Sequence, residues 1–356
     1  MKFLAPALAC LALIACGPTD TTIGSAVEAP ADFMPNVRTG NIEAHIRFLA
    51  SDYLQGRDVG TDGYEIAANY VAAQMQLLGL EPAGDNGGYY AEVPLHDVLA
   101  DPDFNSFTLD GETFAQGDLV YVSTNPNVLE ATVSAPLVFV GYGVSAPNRE
   151  HDDYADLDVA GKIVVVMNGV PRGLPSEERA HHNSTTTKRD VAAAHGAVGM
   201  IALAGWSDEQ VTQFTEGSAS RPTVRLTSAT GPSSYDQIQV IANVGSTLGA
   251  RLFEGAEMSL EDVEAAMEAE ENPSFPRFDL PHTVSMRQRT TSMPFTAPNI
   301  VGMLRGSDPV LADEIVVLSA HLDHLGNIHE NMRGGGACRS NDDEDTICNG
   351  AVDNAS

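Results

Sequence analysis

Two stretches near the start of the chain carry apolar residues at helical spacing. The first, over residues 41–50, predicts a short amphipathic helix. In the second, apolar positions at helical spacing continue from Gly63 to Leu78, which predicts a helix with one buried face. Gly79 follows where helices commonly end in a residue of left-handed conformation. We therefore expect two helices here, joined by a loop over 51–62.

From about residue 105 the apolar residues gather in short runs with turns between them. The runs over 137–140 and 162–166 predict buried strands. A helical pattern that ends at His195 is followed by another apolar run over 198–203. The last two runs and the helix between them predict a strand–helix–strand unit.

The pattern farther along the chain predicts more helices and then strands. Helical patterns cover 243–253 and 260–270, and the second is acidic on its outer face. A charged, alternating stretch then runs to Arg289. Two apolar runs, over 298–304 and 314–319, predict strands that are joined by a polar turn.

The composition is that of a globular protein with a strong excess of acidic residues. The chain has 356 residues, enough for two or more domains, and 43% of them are hydrophobic. This excludes a wholly disordered, collagen-like or coiled-coil protein. The 19 Lys and Arg residues against 49 Asp and Glu residues leave a formal net charge of −30. Because such a surface repels phosphate groups, we expect no nucleic acid partner and no docking to a membrane through a basic patch.

The first sixteen residues are typical of an export signal. Lys2 is followed by an apolar run over 3–15 that is too short to span a bilayer as a helix. The run ends in Leu-Ile-Ala-Cys, which resembles the lipobox of bacterial lipoproteins, and this resemblance implies that Cys16 carries lipid. The alternative is an ordinary secretory signal in which Cys16 is incidental.

We expect the mature protein to be tethered to a membrane by its lipid anchor. Gly17 after the cysteine implies, by the same resemblance, the outer membrane, facing the periplasm or the cell surface. Residues 17–40 are rich in Pro, Thr, Ala and Gly and predict a flexible tether. No later stretch of the sequence reaches the ~18 apolar residues of a transmembrane helix.

Two of the four cysteines remain after the export signal, at Cys338 and Cys348. An even pair in an oxidising compartment predicts a disulfide bond that closes a short loop. A zinc site that uses both thiolates is the alternative, although no third sulfur lies near them.

A histidine and an aspartate follow the last predicted strand. His321 and Asp323 come directly after the run over 314–319, and ligand sites in open α/β sheets lie beyond the carboxyl ends of strands. The imidazole can bind a metal ion, while the carboxylate can orient a ligand or hold a second group. Asp353 lies farther along, in a turn of small residues that lets a carboxylate approach a metal ion. This donor set suits Zn²⁺, with one carboxylate bridging two ions.

Taken together, these motifs resemble the M28 family of zinc aminopeptidases, and the similarity extends along most of the mature chain. The middle of the chain resembles the protease-associated domain that is often inserted in this family. The segments that carry the two resemblances are 49–63, 79–85, the His-x-Asp sequence at 321–323 and Gly-Ala-Val-Asp-Asn-Ala-Ser at 350–356 for the peptidase, and 139–143, 152–154 and 158–164 for the inserted domain.

The resemblance implies an α/β fold, namely the mixed-sheet sandwich of the zinc peptidases, incomplete at the C-terminus and carrying an inserted β-rich protease-associated domain. The implied domains are a lipoprotein signal peptide over 1–16, the tether over 17–40, the N-terminal part of the peptidase domain over 41–104, the insertion with its connecting helices over 105–290, and the metal-site strands of the peptidase domain over 291–356.

The resemblance also implies a role for each candidate site residue. His321 would be a terminal ligand of one Zn²⁺ ion, and Asp353 would bridge two Zn²⁺ ions. Asp323 would orient His321 through its ring nitrogen. In the family, a water held between the two ions attacks the peptide carbonyl, with a glutamate as general base.

The sequence departs from the family at its end. It stops at Ser356, directly after the segment that contains the bridging aspartate. The general-base glutamate, its neighbour, a further acidic ligand and a final histidine would follow. We therefore expect a fragment of a longer enzyme, and a chain that by itself binds zinc poorly and hydrolyses nothing.

The function implied for the complete protein is that of an exported, lipid-anchored aminopeptidase that trims the N-terminal residues of peptides. One alternative is a non-catalytic receptor-like module of the same architecture that binds peptides or proteins. Another is a different zinc hydrolase on the same fold, such as a carboxypeptidase or a cyclase.

Overall fold

The computed structural model describes residues 38–218, 221–226, 234–268, 275–327 and 345–355. The chain divides into two units, Met1–Ala44 and His45–Ser356, and every strand among the described residues belongs to the second unit. The predicted signal peptide, Cys16 and most of the predicted tether lie outside the described residues.

The described helices occur in two groups, near the start and in the middle of the chain. They are α1 (Thr39–Leu49), α2 (Asp62–Leu77), α3 (Ser176–Asn183), α4 (Thr185–Ala194), α5 (Asp208–Ser218), α6 (Ser234–Gln237), α7 (Ser246–Leu252) and α8 (Leu260–Glu268).

The described strands are β1 (Glu81–Pro82), β2 (Tyr90–Ala100), β3 (Ser106–Leu109), β4 (Glu112–Ala115), β5 (Val120–Val122), β6 (Glu130–Phe139), β7 (Ser145–Ala146), β8 (His151–Asp152), β9 (Ile163–Met167), β10 (Gly199–Leu203), β11 (Thr223–Leu226), β12 (Val240–Val244), β13 (Phe278–Ile300), β14 (Gly302–Met303), β15 (Gly326–Asn327) and β16 (Ile347–Cys348).

The two predicted N-terminal helices are confirmed. The side chain of Thr61 accepts a hydrogen bond from the backbone N–H of Tyr64 and caps α2, an interaction typically worth about 1 kcal/mol. At the other end of α2, Gly79 has a φ of +75°, as its position after Leu78 predicts. The predicted loop between the helices contains a short 3-10 helix, Asp52–Arg57.

A ten-stranded mixed sheet forms the centre of the fold. Its strands lie in the order β11-β2-β13-β6-β9-β10-β12-β5, with β3 on β13 and β4 on β3. The pairs β6–β9, β9–β10 and β10–β12 are parallel, and the other pairs are antiparallel. The chain passes from β9 through α3 and α4 to β10, which confirms the predicted strand–helix–strand unit. Helices and a large mixed sheet together confirm the predicted α/β class.

Strand β13, 23 residues long, joins two parts of this sheet. Up to Arg289 it pairs with β6, on residues as far as Glu130. From Thr290 onward it pairs with β2, beginning at Ala100. The change of partner falls between Arg289 and Thr290. One continuous backbone therefore links the strands beside the candidate site to the rest of the sheet.

Apolar side chains cover both faces of the central strands. Consecutive residues of β6 and β9 belong to different clusters, since Val138 and Val164 lie in one and Phe139 and Val165 in the other. Both faces of these strands are therefore buried, which explains their continuous apolar sequence. A separate cluster packs Tyr64 and Ala68 of α2 against Ala297 of β13.

The strand predicted over 314–319 is wrong. Ile315, Val316, Val317 and Leu318 have no regular structure, and between 77% and 94% of each is exposed. An apolar run becomes a strand only when another strand offers hydrogen bonds and an apolar layer covers it. Among the described residues, neither lies beside this segment.

Other predicted bounds shift in smaller ways. Asn243 belongs to β12, so the helix predicted from that residue begins at Ser246. The strand predicted over 298–304 is divided between the end of β13 and the short β14. Within the residues described, no helix is long and apolar enough to cross a bilayer.

Candidate metal centre

Three segments that are far apart in the sequence meet beside α2. They are the 3-10 helix that ends at Arg57, residues 321–327 and residues 347–355. The second and third segments form the two-stranded sheet of β15 and β16. The first is joined to the second because the backbone N–H of His324 donates to the carbonyl oxygen of Arg57 at 3.1 Å. Leu54 and Ala355, from the first and third segments, are buried against Ala67 of α2.

This arrangement brings His321 and Asp353 together. The Nε2 atom of His321 lies 2.9 Å from Oδ1 of Asp353. The Nε2 atom of His324 lies 3.9 Å from the other oxygen, Oδ2. The side chains of His321 and Asp353 are 50% and 71% exposed, so both can reach a ligand from solvent.

The second ring nitrogen of His321 is held by Asp323. Its Nδ1 atom lies 3.0 Å from the backbone carbonyl oxygen of Asp323 and 3.6 Å from the Oδ1 atom of that residue. Because a carbonyl oxygen can only accept, Nδ1 carries the hydrogen. Asp323 thus contacts the ring chiefly through its backbone, although the resemblance implies a role for its side chain as well.

The hydrogen on Nδ1 decides what can lie between His321 and Asp353. In neutral His321 the Nε2 atom carries a lone pair, and this lone pair faces a carboxylate oxygen that also only accepts. Two acceptors at 2.9 Å repel one another unless a positive charge lies between them. Either a proton on Nε2 or a metal ion meets this requirement, so the donor set fits a divalent cation.

The electrostatics of His321 agree with that geometry. The pKa of His321 is raised, first by the hydrogen bond to the Asp323 carbonyl and then by the carboxylates of Asp323 and Asp353, while partial burial opposes the rise. The same negative charges that favour a proton favour a metal ion. Among the residues described, no group of three or more His, Cys, Asp or Glu side chains is arranged to hold an ion.

A cavity of about 520 Å³ opens beside these residues. Acidic, imidazole, amide and phenol groups line it, together with apolar residues of β2, β11 and β13 and of two loops. The polar lining residues are Asp58, Tyr64, Asn299, His321, Asp323, His324 and Asp353, and the apolar ones are Val59, Val93, Leu95, Val224, Ala297 and Leu325.

Tyr64 is held in place at the wall of the cavity. Its hydroxyl donates to the carbonyl oxygen of Pro298 at 2.8 Å. Burial, together with the negative charges of Asp323 and Glu65, raises the pKa of Tyr64 to about 12. It therefore remains a neutral hydrogen-bond donor over the physiological pH range.

Arg57 lies behind the two predicted ligands and is 1% exposed. Its guanidinium donates to four backbone carbonyl oxygens: Nε to Leu322 at 2.8 Å, Nη1 to Leu49 and, at 2.7 Å, to Asn349, and Nη2 to Gly350 at 3.1 Å. Burial lowers the pKa of Arg57, whereas the charges of Asp323 and Asp353 raise it.

Gly56 and Arg57 lie within the segment 49–63 that resembles the M28 family. The sequence alone indicates no role for either residue, or for Tyr64. The available signal is an arginine next to a glycine in a loop before a helix, and this is too common to be specific.

Of the three cysteines with a predicted role, only Cys348 lies within the described residues. Cys348 is buried and disulfide-bonded, and its carbonyl oxygen lies 2.8 Å from Nδ1 of His324. Its predicted partner, Cys338, lies outside the described residues, as does Cys16. The pairing of Cys338 with Cys348 and the lipidation of Cys16 therefore stay predictions.

Two family models match this chain. The model described as "PA domain" matches residues 116–233, and the model described as "Peptidase family M28" matches residues 299–356. The second range contains His321, Asp323 and Asp353. The first contains α3, α4 and β11, including Val224 at the wall of the cavity. No curated protein matches the chain.

Solved structures of two aminopeptidases are similar to the chain at low identity. An aminopeptidase from Aneurinibacillus sp. strain AM-1 is 17% identical with a TM-score of 0.37, over 80% of this chain and 53% of its own. The zinc aminopeptidase BSAP from Bacillus subtilis is 15% identical with a TM-score of 0.28, over 76% of this chain and 47% of its own. The chain thus spans about half the length of these proteins.

Proposed function

We propose that this chain, which joins a segment of peptidase family M28 to a PA domain, belongs to an exported zinc-dependent aminopeptidase. The observation that carries the proposal is the 2.9 Å approach of His321 Nε2 to Asp353 Oδ1, with the opposite ring nitrogen held by a backbone carbonyl. The two similar solved structures are of an aminopeptidase and of a zinc aminopeptidase.

Each of the three predicted site residues would have its own role. His321 would hold a metal ion through Nε2, and Asp353 would hold it through its carboxylate and bridge to a second ion. The carbonyl of Asp323 fixes the tautomer of His321, so that Nε2 keeps its lone pair. A bound divalent ion would lower the pKa of a water molecule and polarise the scissile carbonyl.

The cavity supports a substrate with an apolar residue beside the scissile bond. Val93, Leu95 and Val224 line it together with His321 and Asp353. Val224 lies within the residues that match the PA domain. This contact supports the view that the PA domain borders the cleft and limits substrates to short or unfolded peptides.

The proposed function is tested with the complete gene product that contains this chain. We expect it to release the first residue from peptides with a free N-terminus, to leave N-acetylated peptides intact, and to lose activity with a chelator. Added Zn²⁺ should restore the activity, and metal analysis should find two ions per chain. If the protein bound peptides but did not cleave them, this result would favour the receptor-like module. Cleavage only from the carboxyl end, or cyclisation of an N-terminal residue, would favour another hydrolase.

We further propose that Cys16 carries the lipid that anchors the protein to the outer membrane. The support is the signal-like sequence of residues 1–16 and the sequence Leu-Ile-Ala-Cys. In a bacterial host, labelled palmitate should be incorporated into the wild-type protein and not into the Cys16→Ser variant. Soluble, unlabelled wild-type protein would contradict the lipid anchor and leave the peptidase proposal unaffected.

A further inference from the structure

Arg57 is a buried cation that, among the described residues, forms no ion pair with a carboxylate. It is 1% exposed, and each of its four hydrogen bonds goes to a backbone carbonyl oxygen. Burying a guanidinium is costly unless its donors are satisfied. Four of its five N–H groups are used here, in the planar geometry that distinguishes arginine from lysine.

Three of the four acceptors lie in the second and third segments of the candidate metal centre, and the fourth is the last residue of α1, just before the 3-10 helix that carries Arg57. Leu49 precedes the 3-10 helix, Leu322 lies between His321 and Asp323, and Asn349 and Gly350 begin the turn that carries Asp353. One side chain therefore fixes the distance between the backbone of the predicted histidine ligand and that of the predicted aspartate ligand.

Independent contacts strengthen the same junction. The side chain of Asn349 donates to the carbonyl oxygen of Ala50 at 2.9 Å and to Oδ1 of Asp52 at 2.8 Å. The backbone of Arg57 accepts from the N–H of His324 at 3.1 Å. A Cβ atom at Gly350 would lie 2.7 Å from Nη2 of Arg57, so a glycine is needed where the turn meets the guanidinium.

The charge of Arg57 acts at longer range. Asp323 and Asp353 both interact electrostatically with the guanidinium, while its hydrogen bonds leave the oxygens of Asp353 available to His321 and His324. The guanidinium charge thus interacts with both carboxylates without occupying the atoms that would bind a metal ion.

We infer that Arg57 is a positioning residue of the metal centre, which holds His321 and Asp353 at the spacing that a shared divalent ion requires. His321 Nε2 and Asp353 Oδ1 lie 2.9 Å apart, so a divalent ion with bonds of about 2.0–2.1 Å would reach both once they move apart by a few tenths of an ångström. The inference rests on the proposed function, because it concerns the same pair of ligands.

The test measures Co²⁺ binding to the metal-free complete protein through the visible absorption of Co²⁺, which reports on the geometry of its ligands. Arg57→Met keeps a long apolar stem and removes every donor, and Arg57→Lys keeps the charge but not the planar set of donors. We expect both variants to bind Co²⁺ at least about tenfold more weakly and with an altered spectrum. Arg305→Met, at an exposed arginine paired with Glu81, should leave both unchanged.

Rescue separates positioning from a general loss of stability. In Arg57→Ala, added guanidinium should restore affinity and spectrum toward the wild type, while added ammonium should not. We expect these variants to fold, because the two main core clusters are built from residues 107–286 and the segments that Arg57 joins contribute nothing to them. If Arg57→Met were unfolded, the Co²⁺ affinity and spectrum of Arg57→Lys would test the positioning role of Arg57.

Two negative results can be told apart. If the wild-type protein binds no Co²⁺, the proposed metallopeptidase is wrong. If the wild type binds Co²⁺ and the folded Arg57 variants bind it with equal affinity and the same spectrum, the metal centre stands and the role of Arg57 is refuted.

Discussion

His321 and Asp353 meet through one ring nitrogen and one carboxylate oxygen, 2.9 Å apart, while the other ring nitrogen is held by the carbonyl of Asp323. The ring can therefore neither rotate nor change tautomer without breaking a hydrogen bond. This constraint fixes which atom of His321 is offered to a ligand, and the consequences can be measured.

Asp353→Asn keeps the shape of the side chain but removes the charge that balances a cation. We expect peptidase activity of the complete protein to fall by at least about 100-fold, since the metal could no longer be held in position. Activity should be measured at saturating Zn²⁺ and again without added metal. Asp308→Asn, at an exposed residue that caps a surface turn, is the control. Equal activity in the two variants would contradict a role for Asp353.

Gly56 packs directly on the backbone of Gly326. A Cβ atom at Gly56 would lie 2.5 Å from the Gly326 carbonyl oxygen, and φ of Gly56 is +71°. Gly79 has a similar φ of +75°, but a Cβ there meets nothing within 4 Å. We expect Gly79→Ala to lower the free energy of unfolding by about 1 kcal/mol, from backbone strain alone. Gly56→Ala should lower the free energy of unfolding by about 2 kcal/mol more than Gly79→Ala does, because of the steric clash.

Urea unfolding of the two alanine variants beside the wild type measures this difference. The wild type and Gly79→Ala should keep the junction between the 3-10 helix and β15 intact. If both variants lost the same stability, the close approach of Gly56 to Gly326 would have no energetic consequence.

The burial of Lys188 should make the free energy of unfolding depend on pH. It is buried, and its ammonium donates to the carbonyl oxygens of Met167 and Gly169 at 2.8 and 2.7 Å. Burial lowers the pKa of Lys188 from 10.5 to about 8, although Asp153 opposes the shift. Between pH 8 and 10.5 the unfolded chain therefore holds more protons than the folded one, so this residue makes stability rise with pH.

The effect is isolated by comparison with Lys188→Met. The unfolding free energy of the wild type, relative to this variant, should rise by about 2–3 kcal/mol between pH 7 and pH 10. Lys162→Met, which removes a lysine that pairs with Asp279, should show no such rise. A difference between wild type and Lys188→Met that stays constant with pH would mean that the folded protein does not perturb Lys188.

The predicted disulfide bond between Cys338 and Cys348 should brace the turn that carries Asp353. The carbonyl of Cys348 contacts His324, so loosening this strand would disturb the metal centre. Replacing both cysteines with serine in the complete protein should lower the free energy of unfolding by about 2–3 kcal/mol, because a short closed loop is released. Zn²⁺ affinity should fall as well.

A reducing agent should reproduce both effects in the wild type and change nothing in the double variant. Unchanged stability and unchanged zinc affinity after the double replacement would show that the brace has no role.

Local patterns predict the elements whose burial is complete. The apolar runs at β9 and β10 are buried on both faces, and their sequence carries this information residue by residue. The run over 314–319 has a similarly apolar centre, Ile-Val-Val-Leu, but remains exposed. Composition alone does not distinguish the two cases, because a strand also needs a neighbour, and the neighbour lies elsewhere in the chain.

The length and the two partners of β13 illustrate the same limit. The alternating sequence before Arg289 indicates a strand, but nothing local indicates that it continues through two prolines to Ile300 on a different partner. The pairing depends on β2, which lies nearly two hundred residues earlier.

For the candidate site, the sequence by itself determined the chemical groups. The imidazole and carboxylate side chains of His321, Asp323 and Asp353 indicate a metal site, because few residue types can act as metal ligands. Only the tertiary structure decided that Asp323 contacts the ring through its backbone, and that Arg57 joins the segments around it. The acceptors in both cases are backbone carbonyl oxygens, which every residue possesses, so no choice of side chain in the sequence could reveal them.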